Sequence, residues 1–332
     1  MSFKRILIAI ILLISFSLLL CSCGWSDTHE NFGSSNTLYL YAEEQTEYVQ
    51  ALLDEYNKTN KQTTIKLVSK EEYSKTFYAD IYLLENTKIM KLDDAKALGA
   101  YPTQVCDFAD NAFYNEAGTW YTVFYDPVVL LVNHQYARLI GQENLRTWED
   151  LLHFNNIKIG LENLSDSQST TNFLCCMASH FGENNALNYL KELHKYVPQY
   201  AKFAFSPIRT TAIGETHLTI TRKSHIYQYL ENTFPAYIFK PNEGIPVNLY
   251  CIGINKNIKN LKPATEFRDW LLTNQTVKQL SLDYNTGLEF LQSDTTDFDK
   301  LWLNSHYLSE NAQTVLVDKW LRTVRFEDNL IQ

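Results

Sequence analysis

The residues best equipped for binding chemistry stand where the sequence pattern ends a strand or opens a helix. The run Ser167-Gln168-Ser169-Thr170-Thr171 opens a helical stretch. Its hydroxyls and first-turn N–H groups converge with the positive end of the helix dipole, which makes Ser167, Ser169 and Thr170 candidate anion contacts. The plainer reading of such a run is an ordinary helix cap. Arg222 follows the apolar segment Leu218–Thr221 at its carboxyl end, with Thr221 beside it, and Arg209 stands in Ser206-Pro207-Ile208-Arg209-Thr210-Thr211, where another helix should begin. A guanidinium presents a rigid fork of donors matched to carboxylate or phosphate, although a lone arginine is more often a solvated surface charge. Open α/β sheets bind ligands beyond the carboxyl ends of their strands. That rule adds Glu43 after the first strand, Glu85 after the third, and Tyr121 and Thr122 where the chain crosses to its second half.

Catalytic patterns are missing from the sequence. There is no GxSxG elbow, no HExxH zinc helix and no GxxxxGK phosphate loop. His217 and His225 are eight apart across a strand end, a spacing with no meaning for a metal, and carboxylate pairs such as Glu43-Glu44 and Asp93-Asp94 are expected by chance in so acidic a chain. The reading is of a binding protein with no catalytic residue, no resident metal and no cofactor. A net charge of −9 leaves no electrostatic footprint for nucleic acid.

The elements that must position these residues alternate strand and helix, the pattern of an α/β fold. Leu38–Tyr41, a helix with Val49, Leu52, Leu53 and Tyr56 on one face, and Ile65–Val68 form a β-α-β opening. Ile81–Leu84 is a third strand, and the helix from Ile89 to Leu98 stops at Gly99. Tyr121–Tyr125 and Val128–Asn133 read as strands interrupted by Asp126-Pro127, which suits a crossing from one half to the other. Beyond it come Lys158–Leu161, amphipathic helices carrying Phe173, Leu174, Met177 and Phe181 and then Leu187, Leu190 and Leu193, and strands at Leu218–Thr221 and Ala236–Phe239. After the turn Glu243-Gly244-Ile245-Pro246, Val247–Ile254 is a candidate return crossover, followed by helices around Phe267–Leu272 and Val277–Leu282. The last segment, from Ser293, carries a helix with Leu316, Trp320 and Val324 on one face.

The amino terminus reads as an export signal. Lys4 and Arg5 precede an uncharged apolar run, Ile6–Leu20, shorter than the roughly 18 to 20 residues of a comfortable membrane span. Leu20-Cys21-Ser22-Cys23 then resembles a bacterial lipobox, in which the signal is cut before a cysteine that becomes acylated; Cys23, behind the small Ser22, fits that role. The expected division is a signal peptide at 1–22 and a polar tether at 23–37, with the body held at the outer face of the cytoplasmic membrane. Loss of Lys4 and Arg5 leaves 27 basic against 38 acidic residues, a net charge of −11. Adjacent Cys175 and Cys176 read as buried thiols.

Taken in order, these passages resemble the extracellular solute-binding proteins of ABC importers, with the type 2 periplasmic-binding-protein fold, in the branch containing ferric-ion binders. The resemblance rests on Leu38-Tyr39-Leu40-Tyr41-Ala42-Glu43-Glu44, Ala79-Asp80-Ile81-Tyr82-Leu83, Thr147-Trp148-Glu149-Asp150-Leu151-Leu152, the polar run Ser165–Thr171 and Glu243-Gly244-Ile245-Pro246. It implies two lobes, each a mainly parallel sheet flanked by helices, joined by hinge strands: residues 38–125 with 251–332, and residues 126–250. It also implies a monomer that closes on one solute in the cleft and delivers it to ABC permease subunits; the alternative is a sensing partner of a membrane receptor kinase. Where ferric binders carry adjacent tyrosines, this chain has Thr221-Arg222-Lys223-Ser224-His225, and Tyr227 and Tyr229 point roughly 200° apart on a helix. The solute stays open among ferric ion, phosphonate, phosphorylated sugar, organic acid, thiamine and polyamine.

Overall fold

The computed structural model describes residues 36–105, 111–140, 144–229 and 234–326. The export signal, Cys23, nearly all of the tether and Cys106 lie outside the described residues. The described residues from Leu38 onward form one compact unit. Among the described residues no helix is long and apolar enough to cross a membrane.

The opening β-α-β unit forms as its periodicity requires. Strand β1 (Thr37–Ala42) leads into the helix Thr46–Thr59, which buries Val49, Leu52, Leu53 and Tyr56, and then into β2 (Thr64–Val68). Strand β3 (Ile81–Glu85) lies parallel to β1 and passes directly into the helix Asn86–Asp94, so the helix begins earlier and ends before the glycine expected to stop it.

Strand β4 (Trp120–Asn133) is a single run of fourteen buried residues rather than two strands. Pro127 is accommodated because the strand changes partner there: Trp120–Pro127 pairs with the later strand β9 (Ile245–Ile254), and Val128–Val132 with β7 (Leu218–Arg222). A residue without an N–H is least costly where one ladder gives way to the next. The second half adds β5 (Ile159–Glu162), parallel to both β7 and the two-residue β6 (Tyr200–Ala201), and β8 (Ala236–Phe239) on β4. Each half thus keeps parallel pairs, β1 with β3 and β5 with β7, while β4 and β9 run antiparallel to each other and carry the sheet through.

Alternation along β4 feeds two cores. Val128, Leu130 and Val132 join the main cluster with Phe173, Leu174 and Met177 of the helix Gln168–Phe181, while Val129 and Leu131 meet Ile208 and Ile226 on the other face. The Cys175, Cys176 and Cys251 thiols are all buried and free. Late in the chain, β10 (Glu289–Phe290) pairs with β4, and β11 (Leu301–Trp302) with the start of β9. The final helix, Glu310–Trp320, then packs on the second half. Gln168 donates to Gln313 at 2.8 Å, Lys319 pairs with Glu183 at 2.5 Å, and the fully buried Trp320 meets the Tyr200 ring edge-on at 5.5 Å.

Candidate functional site

Sheet register alone assembles a charged group at the point where β4 passes between halves. Glu85 pairs with Tyr250, Tyr250 with Phe124, Asp126 with Asn248, and Val128 with Arg222. Cross-strand partners share a face, and so do residues two apart on one strand. Glu85, Asp126, Arg222 and Tyr250 therefore lie on one face of the sheet. Tyr125 and its partner Glu289 lie on the other.

On the first face the Arg222 guanidinium is almost wholly occupied. Nη1 donates to Glu85 Oε1 at 3.0 Å, to Tyr250 Oη at 3.2 Å and to Glu44 Oε2 at 3.5 Å, with Asp126 Oδ2 at 3.6 Å. Nε and Nη2 meet His225 Nε2 at 3.2 and 2.7 Å, which requires Nε2 to be the unprotonated acceptor. Asp126 also accepts from the Ser224 N–H at 3.1 Å and hydroxyl at 2.5 Å, while Tyr250 donates to Glu44 at 2.5 Å. Burial pushes the Glu85 and Asp126 carboxyls upward against the pull of Arg222. Burial also takes His225 down to about 3, helped by Arg222, and Glu162 up to about 7. Glu162 Oε2 stands 3.9 Å from His225 Nδ1, which has no hydrogen-bond partner among the described residues.

The opposite face carries the reverse proportion. Glu289 accepts from Tyr125 at 2.6 Å, Lys223 at 2.9 Å and Lys240 at 2.5 Å. Burial opposes its charge, yet the two lysines outweigh it and hold the carboxyl at about 2. Close to this point Gly287, at φ +73°, comes so near the second half that an added Cβ would lie 2.6 Å from Ser224 Cα.

A cleft of about 650 Å³ opens beside the arginine, walled by Glu43, Glu44 and Tyr48 from one side, by Arg222 and Tyr227 from the other, and by Tyr284. Glu43 pairs with Lys88. Beneath Arg222 a cavity of about 20 Å³ is bordered by Glu162, Thr170 and Thr221. The Thr221 hydroxyl is buried and has no hydrogen-bond partner among the described residues. At the helix Gln168–Phe181, Ser167 and Thr170 form a capping box, the hydroxyl of Ser167 accepting from the Thr170 N–H at 3.2 Å. The N–H groups of the first turn ahead of Thr170 are those a helix leaves for an outside acceptor.

Of the residues singled out from sequence, Glu43 and Arg222 reach the cleft, Glu85 joins the cluster below it, and Thr170 and Thr221 border the small cavity. The side chain of Ser169 lies outside the described residues. Tyr121 is packed in the first half, accepting from the Thr103 N–H at 3.0 Å and stacked on Tyr114; Thr122 is fully buried against Cys251; Arg209 is exposed on the helix Phe205–Ala212. None of these three lines the cleft. Asp126, Glu162, Tyr250 and Glu289 were not singled out. Asp126 had a signal, an acid set inside an apolar strand, and Glu162 closes β5 at its carboxyl end. Among the described residues no group of three or more His, Cys, Asp or Glu is arranged to hold a metal ion.

A family model described as bacterial extracellular solute-binding protein matches residues 83–301. An uncharacterized protein of Haemophilus influenzae is 29% identical over 203 residues; the stretch covers 57% of this chain and 58% of that relative, less than two thirds of its length. Among solved structures, the periplasmic binding protein AfuA of Actinobacillus pleuropneumoniae, with fructose-6-phosphate bound, superposes with a TM-score of 0.63 at 20% identity over 88% of this chain and 99% of its own. Iron-bound HitA of Pseudomonas aeruginosa gives 0.65 at 14% over 86% and 99%. Ferric iron-binding protein A of Mannheimia haemolytica, in an open conformation, gives 0.68 at 14% over 87% and 99%. At these identities the likeness is one of fold: two α/β lobes joined by crossing strands.

Proposed function

The chain belongs to the bacterial extracellular solute-binding proteins, and on that premise we propose that it is the solute-capturing component of an ABC importer, held at the membrane surface through lipidated Cys23. Residues 38–125 with the return segment from 251 make one lobe and residues 126–250 the other, with β4 and β9 as hinge strands and the last helix laid on the second lobe. The observation that carries the reading is the polar cleft of about 650 Å³ beside Arg222, whose guanidinium meets Asp126 and Tyr250 of the two crossing strands; its size suits a small organic solute. The open and closed forms are in balance, and a solute shifts that balance by its differential affinity for the two.

The solute proposed is a small polar organic compound, with phosphorylated sugars and organic acids first. Fructose-6-phosphate occupies AfuA and iron occupies HitA. Here Glu44, Glu85 and Asp126 are already engaged by the guanidinium, so they are not free to ligate a ferric ion. Its donors are almost wholly occupied, so acceptor groups of a solute are left to the first-turn N–H groups at Gln168 and to the Thr221 hydroxyl, which borders the small cavity at Arg222 rather than the cleft itself.

A thermal-shift screen of the full chain in detergent against ferric citrate, phosphorylated sugars, phosphonates, organic acids, thiamine and polyamines tests this. One class should raise the melting temperature with concentration, gaining about 2.7 kcal/mol at a hundred times its Kd. Absence of a shift with all six classes would overturn the carrier reading.

A further inference from the structure

The two ion clusters join residues from opposite sides of the hinge. Arg222, at the end of β7, reaches Glu44 beyond β1 and Glu85 at the end of β3; Lys223 and Lys240 reach Glu289 on β10. Adjacent residues feed the two clusters: Tyr125 turns to one and Asp126 to the other, Arg222 to one and Lys223 to the other. The contact is tight as well as charged, since Gly287 lies against the Ser224 backbone. All of these partners are within the protein itself, so none of the attraction awaits a solute.

We propose that these ion pairs form a latch on both faces of the hinge, which holds the lobes closed in the solute-free chain. Arg222 is its central positioning residue. Its fork is locked from behind by His225, so it cannot turn away to serve a solute without surrendering Glu44 and Glu85. A solute therefore enters by way of a minor open population, which slows its association. The proposal rests on the hinged two-lobe reading but makes no use of any ligand.

Hydrogen exchange of the full chain in detergent, followed by mass spectrometry, reads the latch directly. Peptides covering 43–48, 222–228 and 284–287 should exchange several-fold faster in Glu289→Gln and in Glu44→Gln than in the unaltered chain. Those from the helices Gln168–Phe181 and Glu183–His194 should not change. Raising salt from about 0.1 to about 1 M, which shortens the screening length from about 10 to about 3 Å, should act in the same direction without any substitution. Arg222→Lys, which keeps the charge but loses the fork, should fall between the unaltered chain and Glu44→Gln. Unchanged exchange at the cleft in every variant and at high salt would overturn the latch, and so would an increase spread evenly over all peptides, which would mean that the pairs hold up the fold. A failed solute screen would overturn only the carrier reading.

Discussion

The two faces of the hinge solve the same problem with opposite proportions. On one, a single arginine serves three carboxylates, Glu44, Glu85 and Asp126; on the other, a single carboxylate, Glu289, serves two lysines. Solvent separates them further. Asp126 is fully buried and Arg222 only 8% exposed, whereas Lys240 keeps 41% of its side chain in water. A shared cation in a dry site leaves large penalties when it is removed, while a shared anion near water leaves modest ones.

The two faces should differ most at Arg222. Arg222→Ala strands Glu85 and Asp126 without a counter-ion and should cost about 3–5 kcal/mol in urea unfolding. Combining it with Glu85→Gln and Asp126→Asn should recover most of that loss. A cost below about 1 kcal/mol for the single variant would mean that the cluster is solvated after all.

Glu289→Gln is the matching change on the wetter face. Its carboxyl stands at about 2 in the fold against an ordinary value of 4.5. Between those values the unfolded chain binds more protons, so the contribution is full above pH 4.5 and is lost as pH falls through 2. The variant should lose on the order of 2 kcal/mol at pH 7, and its deficit should disappear in denaturation curves taken near pH 2.

Glu162 sharpens the contrast by reversing the sign. Burial raises it from 4.5 to about 7, so from pH 4.5 upward the folded chain holds the proton more firmly and stability declines until pH passes 7. Glu162→Gln should therefore be neutral at pH 4 and stabilising by about 2 kcal/mol at pH 8. His225 works against Glu162 in part of the same range. Its folded value near 3, below the ordinary 6.5, removes stability as pH falls from 6.5 toward 3. Difference curves between the variant and the parent isolate Glu162, and a flat difference from pH 4 to 8 would refute its raised value.

The frame of this site was legible in the sequence because apolar periodicity places strands and helices whatever their partners. Leu38–Tyr41, Ile81–Leu84 and Val247–Ile254 all lie within observed strands. Asp126-Pro127 misled in part: a break was expected, but the strand continues because it exchanges one neighbour for another there. The strand-end rule led to Glu43, Glu85, Thr221 and Arg222, which stand at or beside the cleft, and equally to Tyr121 and Thr122, which do not. It did not reveal that Arg222 is spent on carboxylates of the other half, since Glu44 lies 178 residues away in the chain and no local spacing encodes that meeting. Glu289 was missed for the same reason, as its register with Tyr125 exists only once β10 has returned to the sheet.

The smallest effect on stability is expected at Thr221, and it bears most directly on binding. Its hydroxyl is buried beside a cavity of about 20 Å³, large enough for one water, and no hydrogen-bonding group among the described residues meets it. An unpartnered buried hydroxyl contributes nothing by hydrogen bonding to the protein, so the near-isosteric Thr221→Val should leave urea unfolding within about 0.5 kcal/mol of the parent, or slightly improve it. If that hydroxyl is kept for a solute, the same variant should weaken the solute found in the screen by about tenfold, the loss of one neutral hydrogen bond. Calorimetric titration separates the outcomes. Weaker binding at unchanged stability places the solute over β7, whereas equal affinity would confine the site to the Glu43 and Tyr284 side of the cleft and leave Thr221 to a buried water.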